Sequence, residues 1–241
     1  MIGFVSGKGG TGKSALCAGV ATALAASGNR VLCIDGDFGL RSLDVFLGLS
    51  GVEALSVSDV CSGGYPISAA AVHPKYASLR FLTAPVNRNA GDMDCKALAE
   101  MLDRARADFD FIFLDGPAGI GPGMGLVAEN ADRCVLVTLP DPASIRSADR
   151  CAQELEIMGV KNCRMVVNRL FSDLLKAMGK TIDDIMDEVG LPLLGIVPTD
   201  PNVSLAAAVG KPLLQYSHFG AAAAYKRIAK RILGLNVPIS R

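Results

Sequence analysis

Short runs of aliphatic and aromatic residues alternate along this chain with longer stretches of helical spacing. The runs are Ile2–Ser6, Val31–Ile34, Leu79–Thr83, Phe111–Leu114, Cys134–Leu139, Cys163–Asn168 and Leu193–Val197. Near-continuous hydrophobicity, rather than strict alternation, is what a strand covered on both faces needs. Between the runs, the spacing predicts helices over Lys13–Ser27, Asp92–Ala107, Gly123–Asn130, Pro142–Met158, Asp173–Val189, Asn202–Val209 and Gly220–Leu233. Pro142 and Pro201 stand at helix starts, where a missing N–H is tolerated. Gly28, Gly159 and Gly190 stand at helix ends. This rhythm predicts an α/β fold with a doubly wound, mostly parallel sheet flanked by helices. No Pro/Gly/Ser-rich linker interrupts it, so a single domain is expected over residues 1–241.

Composition narrows the class. Half of the 241 residues are hydrophobic and only 5% are aromatic, which suits helices packed closely on a parallel sheet better than a β-sandwich. The formal net charge is zero, so no global field favours nucleic acid or an anionic surface, and nucleic acid is not an expected partner. The seven cysteines (17, 33, 61, 95, 134, 151 and 163) are odd in number and include no C-x-x-C, so reduced thiols and a cytoplasmic setting are expected. No secretory leader and no run of 18 apolar residues is visible, so no membrane span is expected.

The chemistry concentrates where the predicted strands end. Gly7, Lys8, Gly9, Gly10, Thr11, Gly12, Lys13 and Ser14 fit the phosphate-binding pattern G-x-x-x-x-G-K-[ST], between a strand and a helix as the motif requires. Its glycines let successive N–H groups face one anion, and the helix adds its positive end. Lys13 is then expected to reach the β- and γ-phosphates and Ser14 to ligate Mg²⁺. Asp35 and Asp37 follow the second strand and Asp115 ends the fourth. Carboxylates in these places suit Mg²⁺ binding and the orientation of an attacking water. The stretch Gly116–Gly123 is expected to be a flexible loop able to sense a γ-phosphate.

Lys8 is a second lysine, five residues before Lys13. The signature Lys8-Gly9-Gly10-Thr11-Gly12-Lys13-Ser14 resembles the deviant Walker A loop of the MinD/ParA family of P-loop ATPases. Residues Ile34 to Asp44 are similar to switch I of the family's MinD branch, and Asp115 to Ile120 to its switch II. Ser144–Arg150, Val167-Asn168-Arg169 and Gly195–Pro198 fall in family order, so the resemblance runs to about Leu233.

The resemblance implies a slow, partner-stimulated ATPase that uses ATP and Mg²⁺ and forms a homodimer with ATP between the subunits. It implies catalytic roles for Lys8, Lys13 and Asp37. Lys8 would act across the dimer much as an arginine finger does, and Asp37 would position water. Ser14, Asp35 and Asp115 would serve the metal, and Asn168, Arg169, Pro198 and Asp200 would contact adenine. It also implies MinC/MinE-like protein regulators and a role in division-site or cell-pole placement at the inner face of the membrane.

The tail after Gly234 is short and interrupted by Pro238, so the membrane-docking helix usual in the MinD branch is expected to be absent. The basic segment Tyr225–Leu233 is expected to pack its apolar face on the core. His73 and His218 are read as structural or surface residues. Other readings stay open: a flagellar-number regulator of the FlhG type, a ParA partition ATPase, and a nucleotide-gated binding module with negligible hydrolysis. A metal-cluster ATPase would want paired interface cysteines, and no such pair is evident.

Overall fold

The computed structural model describes residues 1–39, 41–85 and 93–239. Leu40 of the switch-I-like segment, Asp92 at an expected helix start, and Ser240 and Arg241 of the tail lie outside the described residues.

Eight strands form one sheet: β1 (Ile2–Ser6), β2 (Val31–Asp35), β3 (Ala71–Val72), β4 (Leu79–Leu82), β5 (Phe111–Ala118), β6 (Arg133–Thr138), β7 (Cys163–Leu170) and β8 (Leu193–Pro198). Their order is β3-β4-β2-β5-β1-β6-β7-β8, and only β3 runs antiparallel to its neighbour. From β1 the chain moves to one side for β2 to β5, then to the other for β6 to β8. That reversal opens a crevice at the carboxyl ends of the central strands, the usual ligand site of such sheets.

Helices cover both faces: α1 (Lys13–Ala26), α2 (Leu43–Leu47), α3 (Val57–Cys61), α4 (Cys95–Ala105), α5 (Pro122–Asn130), α6 (Pro142–Ile157), α7 (Ser172–Ala177), α8 (Ile182–Val189), α9 (Asn202–Ala208), α10 (Leu213–Tyr216) and α11 (Ala221–Ile232). One core packs α1 and α11 against Phe4, Phe113 and Val135. The other packs α4, α5, α6 and α8 against Val5, Leu114 and Leu136. α1 is enclosed on every side, with Lys13 to Ala25 all buried. Gly19 lets α11 approach it, because a Cβ there would stand 2.0 Å from Cδ2 of Tyr225.

The structure departs from the pattern-based reading in four places. The helix expected over Asp173–Val189 is two helices, α7 and α8. Gly179 turns the chain at φ 60°, and Thr181 with Asp184 forms a capping box that starts α8 afresh. β5 runs on through Gly116, Pro117 and Ala118, so that part of the expected flexible loop is strand, paired with β1 at Ser6. β7 likewise continues past Asn168 to Leu170. β3, α2, α3 and α10 were not expected, being too short to show a period.

The basic terminal helix α11 buries Ala221, Tyr225, Ile228 and Ile232 and leaves Lys226 and Lys230 exposed, as its pattern predicts. His73 is a buried strut. Its Nδ1 accepts from the backbone N–H groups of Lys75 and Tyr76, which leaves Nε2 to donate to the Leu47 carbonyl at 3.0 Å. Burial lowers its pKa accordingly. His218 is exposed. Among the described residues no helix is long and apolar enough to cross a membrane.

Candidate active site

The loop after β1 is built to accept an anion. Gly10 and Gly12 take left-handed φ values of 78° and 83°, which suit glycine. Gly12 caps α1 without any side-chain hydrogen bond, so the positive end of a buried 14-residue helix faces the crevice. Thr11 is buried, and its hydroxyl oxygen has no hydrogen-bond partner among the described residues. An open helix end, a cradle of left-handed glycines and an orphaned polar atom fit a phosphate chain. The other elements hold the loop tightly. A Cβ on Gly7 would stand 2.1 Å from the Ser147 carbonyl of α6. Asn168 donates Nδ2 to the Thr11 carbonyl at 2.7 Å, and a Cβ on Gly12 would stand 2.3 Å from that nitrogen.

The carboxylates converge as the motif reading expects. Asp115 is fully buried, and its Oδ1 accepts from Lys13 Nζ at 2.7 Å. Its Oδ2 is buried without a hydrogen-bond partner among the described residues, and such an oxygen suits a cation or its water. Burial raises the Asp115 pKa, against the opposing pull of Lys13 and Ser14. Asp35 is paired in register with Asp115 on the neighbouring strand. Its two oxygens accept the N–H groups of Asp37 at 2.9 Å and Leu43 at 3.1 Å. Burial, then the like charge of Asp115, pushes its pKa up to about 6. Asp37 lies in the same crevice and accepts from Gly39 N at 3.2 Å. Ser14, a candidate metal ligand, receives a hydrogen bond from the Ser42 hydroxyl at 3.1 Å. Serine and carboxylate oxygens are the hard donors that Mg²⁺ prefers.

Lys8 stands apart. Its side chain is 37% exposed, and its nearest partner is Asp141 Oδ1 at 3.4 Å. Asp141 is also the N-cap of α6, accepting from Ser144 N at 3.0 Å and from the Ser144 hydroxyl. Burial works to raise the pKa of Asp141, but the Ser144 bonds and Lys8 outweigh it and hold it low.

Beside the loop lies a cavity of about 480 Å³ lined by Gly12, Phe46, Asn168, Arg169, Phe171 and Pro198, among others. All four residues assigned to adenine from the sequence line it. The structure gives two of them framework bonds as well. Asn168 holds Thr11, and its Oδ1 accepts from Arg169 N at 2.9 Å. Asp200 accepts the N–H groups of Asn202 at 2.9 Å and Ala221 at 3.0 Å, tying this loop to α11. Arg169, which lines the cavity, sits at φ 51°, an uncommon conformation for arginine. Phe46, Phe171, Ser42 and Asp141 escaped the sequence reading. Only Asp141, immediately before Pro142, carried a readable cap signal.

A family described as "ParA: NUBPL iron-transfer P-loop NTPase" matches residues 1–233. The septum site-determining protein MinD of Helicobacter pylori is 35% identical over 98% of this chain and 91% of its own length. The chain belongs to the MinD/ParA family of P-loop ATPases. Among solved MinD-type structures, the MinC:MinD cell division protein complex of Aquifex aeolicus is 33% identical. It superposes with a TM-score of 0.91 over 100% of this chain and 98% of that one. MinD of Pyrococcus horikoshii, solved with Mg-ADP, is 26% identical with a TM-score of 0.82, over 96% of this chain and 94% of that one. As in those MinD structures, a mostly parallel sheet flanked by helices carries the family's phosphate loop at its carboxyl edge.

Proposed function

We propose that this chain, as one domain over residues 1–241, is an Mg-ATP-dependent dimerising switch of the MinD type. It would recruit partner proteins when ATP is bound and release them after hydrolysis. Gly7 to Ser14 would hold the triphosphate, with their backbone N–H groups and Lys13 facing its oxygens. Ser14, Asp35 and Asp115 would hold Mg²⁺, which would neutralise charge on the phosphate oxygens. To take up this role Lys13 must turn from Asp115 toward the phosphates, and that turn frees the Asp115 oxygen it now covers. Asp37, next to this cluster, would accept a hydrogen bond from the attacking water. Arg169, Asn168, Pro198 and Asp200 would shape the purine end of the cavity, with Phe46 and Phe171 as its apolar walls.

The observation that carries the reading is the setting of Lys8. It belongs to the phosphate loop, yet it is half-exposed and tethered by one long contact to the N-terminal end of α6. A lysine placed this way is ready to leave its own subunit and meet charge on another. Supplied in trans, such a group is worth about 10³–10⁵ in rate, so the monomer should be slow. A MinC-like protein is the expected partner class, by analogy with the complex named above. The free thiols support a reducing, cytoplasmic setting.

The decisive measurement is sedimentation velocity with Mg-ADP and with Mg-ATP. A monomer with ADP and a dimer with ATP are expected. A monomer in both, with nucleotide shown to be bound, would overturn the switch while leaving the binding site in place.

A further inference from the structure

The end of the sheet remote from the phosphate loop carries a second concentration of charge. Arg133 opens β6, Arg164 lies at the start of β7, and Arg231 is in the last turn of α11. All three line one cavity of about 190 Å³ among the amino-terminal ends of β1, β6, β7 and β8, together with Asn162. Among the described residues no acidic side chain lines it. Among the described residues none of the three arginines pairs with a carboxylate.

Their partners are neutral carbonyls instead. Arg231 donates to Val237 O at 2.9 Å, Leu194 O at 3.0 Å and Pro238 O at 2.5 Å. Arg133 reaches Ile232 O at 3.5 Å. The Arg164 guanidinium makes no hydrogen bond or ion pair among the described residues. A guanidinium has five N–H donors, so each of the three side chains, which line the same cavity, keeps donors that these bonds do not use. Gathering three like charges without a counter-charge is unfavourable unless an anion joins them. Burial, with Arg227 nearby, already lowers the pKa of Arg231.

The geometry also selects the anion. Guanidinium forks arriving from three separate elements suit a tetrahedral group with several free oxygens better than a planar carboxylate. The cavity is smaller than the roughly 300–1,000 Å³ typical of drug-sized ligands, so it suits a headgroup rather than a whole nucleotide. β6 is six residues long, which separates this end from the phosphate loop by about 20 Å.

We propose that the three-arginine cavity binds a single phosphate-bearing group, supplied by a soluble phosphate ester or by a phospholipid headgroup. The proposal does not depend on the nucleotide reading.

Calorimetric titration with inorganic phosphate, with and without saturating Mg-ADP, tests it on the full chain. Saturable binding that persists in Mg-ADP is expected. Arg164→Gln should weaken it tenfold or more without moving the thermal melt, because Arg164 is exposed, and Arg133→Gln should act in the same direction. Sedimentation with vesicles of phosphatidic acid in phosphatidylcholine, against phosphatidylcholine alone, identifies the source. Phosphatidic-acid-dependent pelleting that Arg164→Gln abolishes and inorganic phosphate competes away supports the headgroup. Phosphate binding without pelleting supports the soluble ester. Heat abolished by Mg-ADP would put the phosphate on the loop after β1 and overturn the proposal. Binding unchanged in both arginine variants, or no binding of either probe, would overturn it too.

Discussion

Lys13 and Lys8 lie on one loop, five residues apart, in opposite physical surroundings. Lys13 is 6% exposed and makes a 2.7 Å ion pair with a fully buried carboxylate. Lys8 is 37% exposed and makes a 3.4 Å contact with a partly exposed one. Desolvated charges are costly to separate, whereas an exposed pair holds its partners by about 0–1 kcal/mol. Lys13 can thus leave Asp115 only for another anion in the same buried crevice, whereas Lys8 is nearly free to leave its subunit. In the proposed dimer, identical side chains would act in cis and in trans because their burial differs.

The largest effect should come from removing the buried lysine. Lys13→Ala leaves Asp115 buried without its cation, which should cost about 3–5 kcal/mol and abolish nucleotide binding. Urea unfolding and titration with a fluorescent ATP analogue would show both. Stability within 1 kcal/mol of wild type would erase the contrast between the two sites.

Lys8→Ala should leave stability and nucleotide affinity almost unchanged. It should abolish the ATP dimer and lower partner-stimulated turnover by about 10³. A variant that still sediments as an ATP dimer would show that Lys8 is a surface residue.

A third test uses the other buried carboxylate. The folded pKa of Asp35 is raised to about 6, above its ordinary unfolded value. The native state therefore holds this proton more tightly than the unfolded chain, and the contribution of Asp35 to stability falls as pH rises from about 4 to about 6. The two pKa values differ enough for a loss of about 3 kcal/mol across that window. Asp35→Asn should flatten this part of the stability–pH curve, measured by urea unfolding at each pH. An unchanged slope would exclude Asp35 as its source.

The smallest effect belongs to Asp141→Asn. Asparagine caps α6 about as well as aspartate, so stability should change by less than about 1 kcal/mol. Losing the charge should release Lys8 and shift dimerisation to a lower ATP concentration in light scattering. A shift to a higher concentration would mean that Asp141 supports the dimer rather than restraining the lysine.

The same contrast between local and distant information explains how much could be read before the fold was known. Seven strands were legible because each is a compact apolar run, and the phosphate loop because its chemistry is contiguous. The break between α7 and α8 was legible in principle, since Thr181 and Asp184 stand at capping-box spacing. β3 was not, because two edge residues show no period. The extension of β5 over Gly116 to Ala118 comes from backbone pairing with β1, to which side-chain type is nearly irrelevant. The grip of Asn168 on Thr11 joins residues 157 positions apart, and that of Ser42 on Ser14 joins residues 28 apart. No local spacing encodes such pairs. The motif showed which groups would meet, but not that Lys13 and Asp115 would already be bonded.

The walled-in position of α1 has a consequence for signalling. A rod clasped by sheet, by α2 and by the ring of Tyr225 cannot tilt to announce what sits at its tip. In the proposed switch, news of occupancy would leave through the thinner segments after β2 and β5, whose ends are stitched by Gly36 N to Asp115 O and by Gly119 N to Ser6 O. In that arrangement the rim would carry the message while the engine beneath it stays rigid.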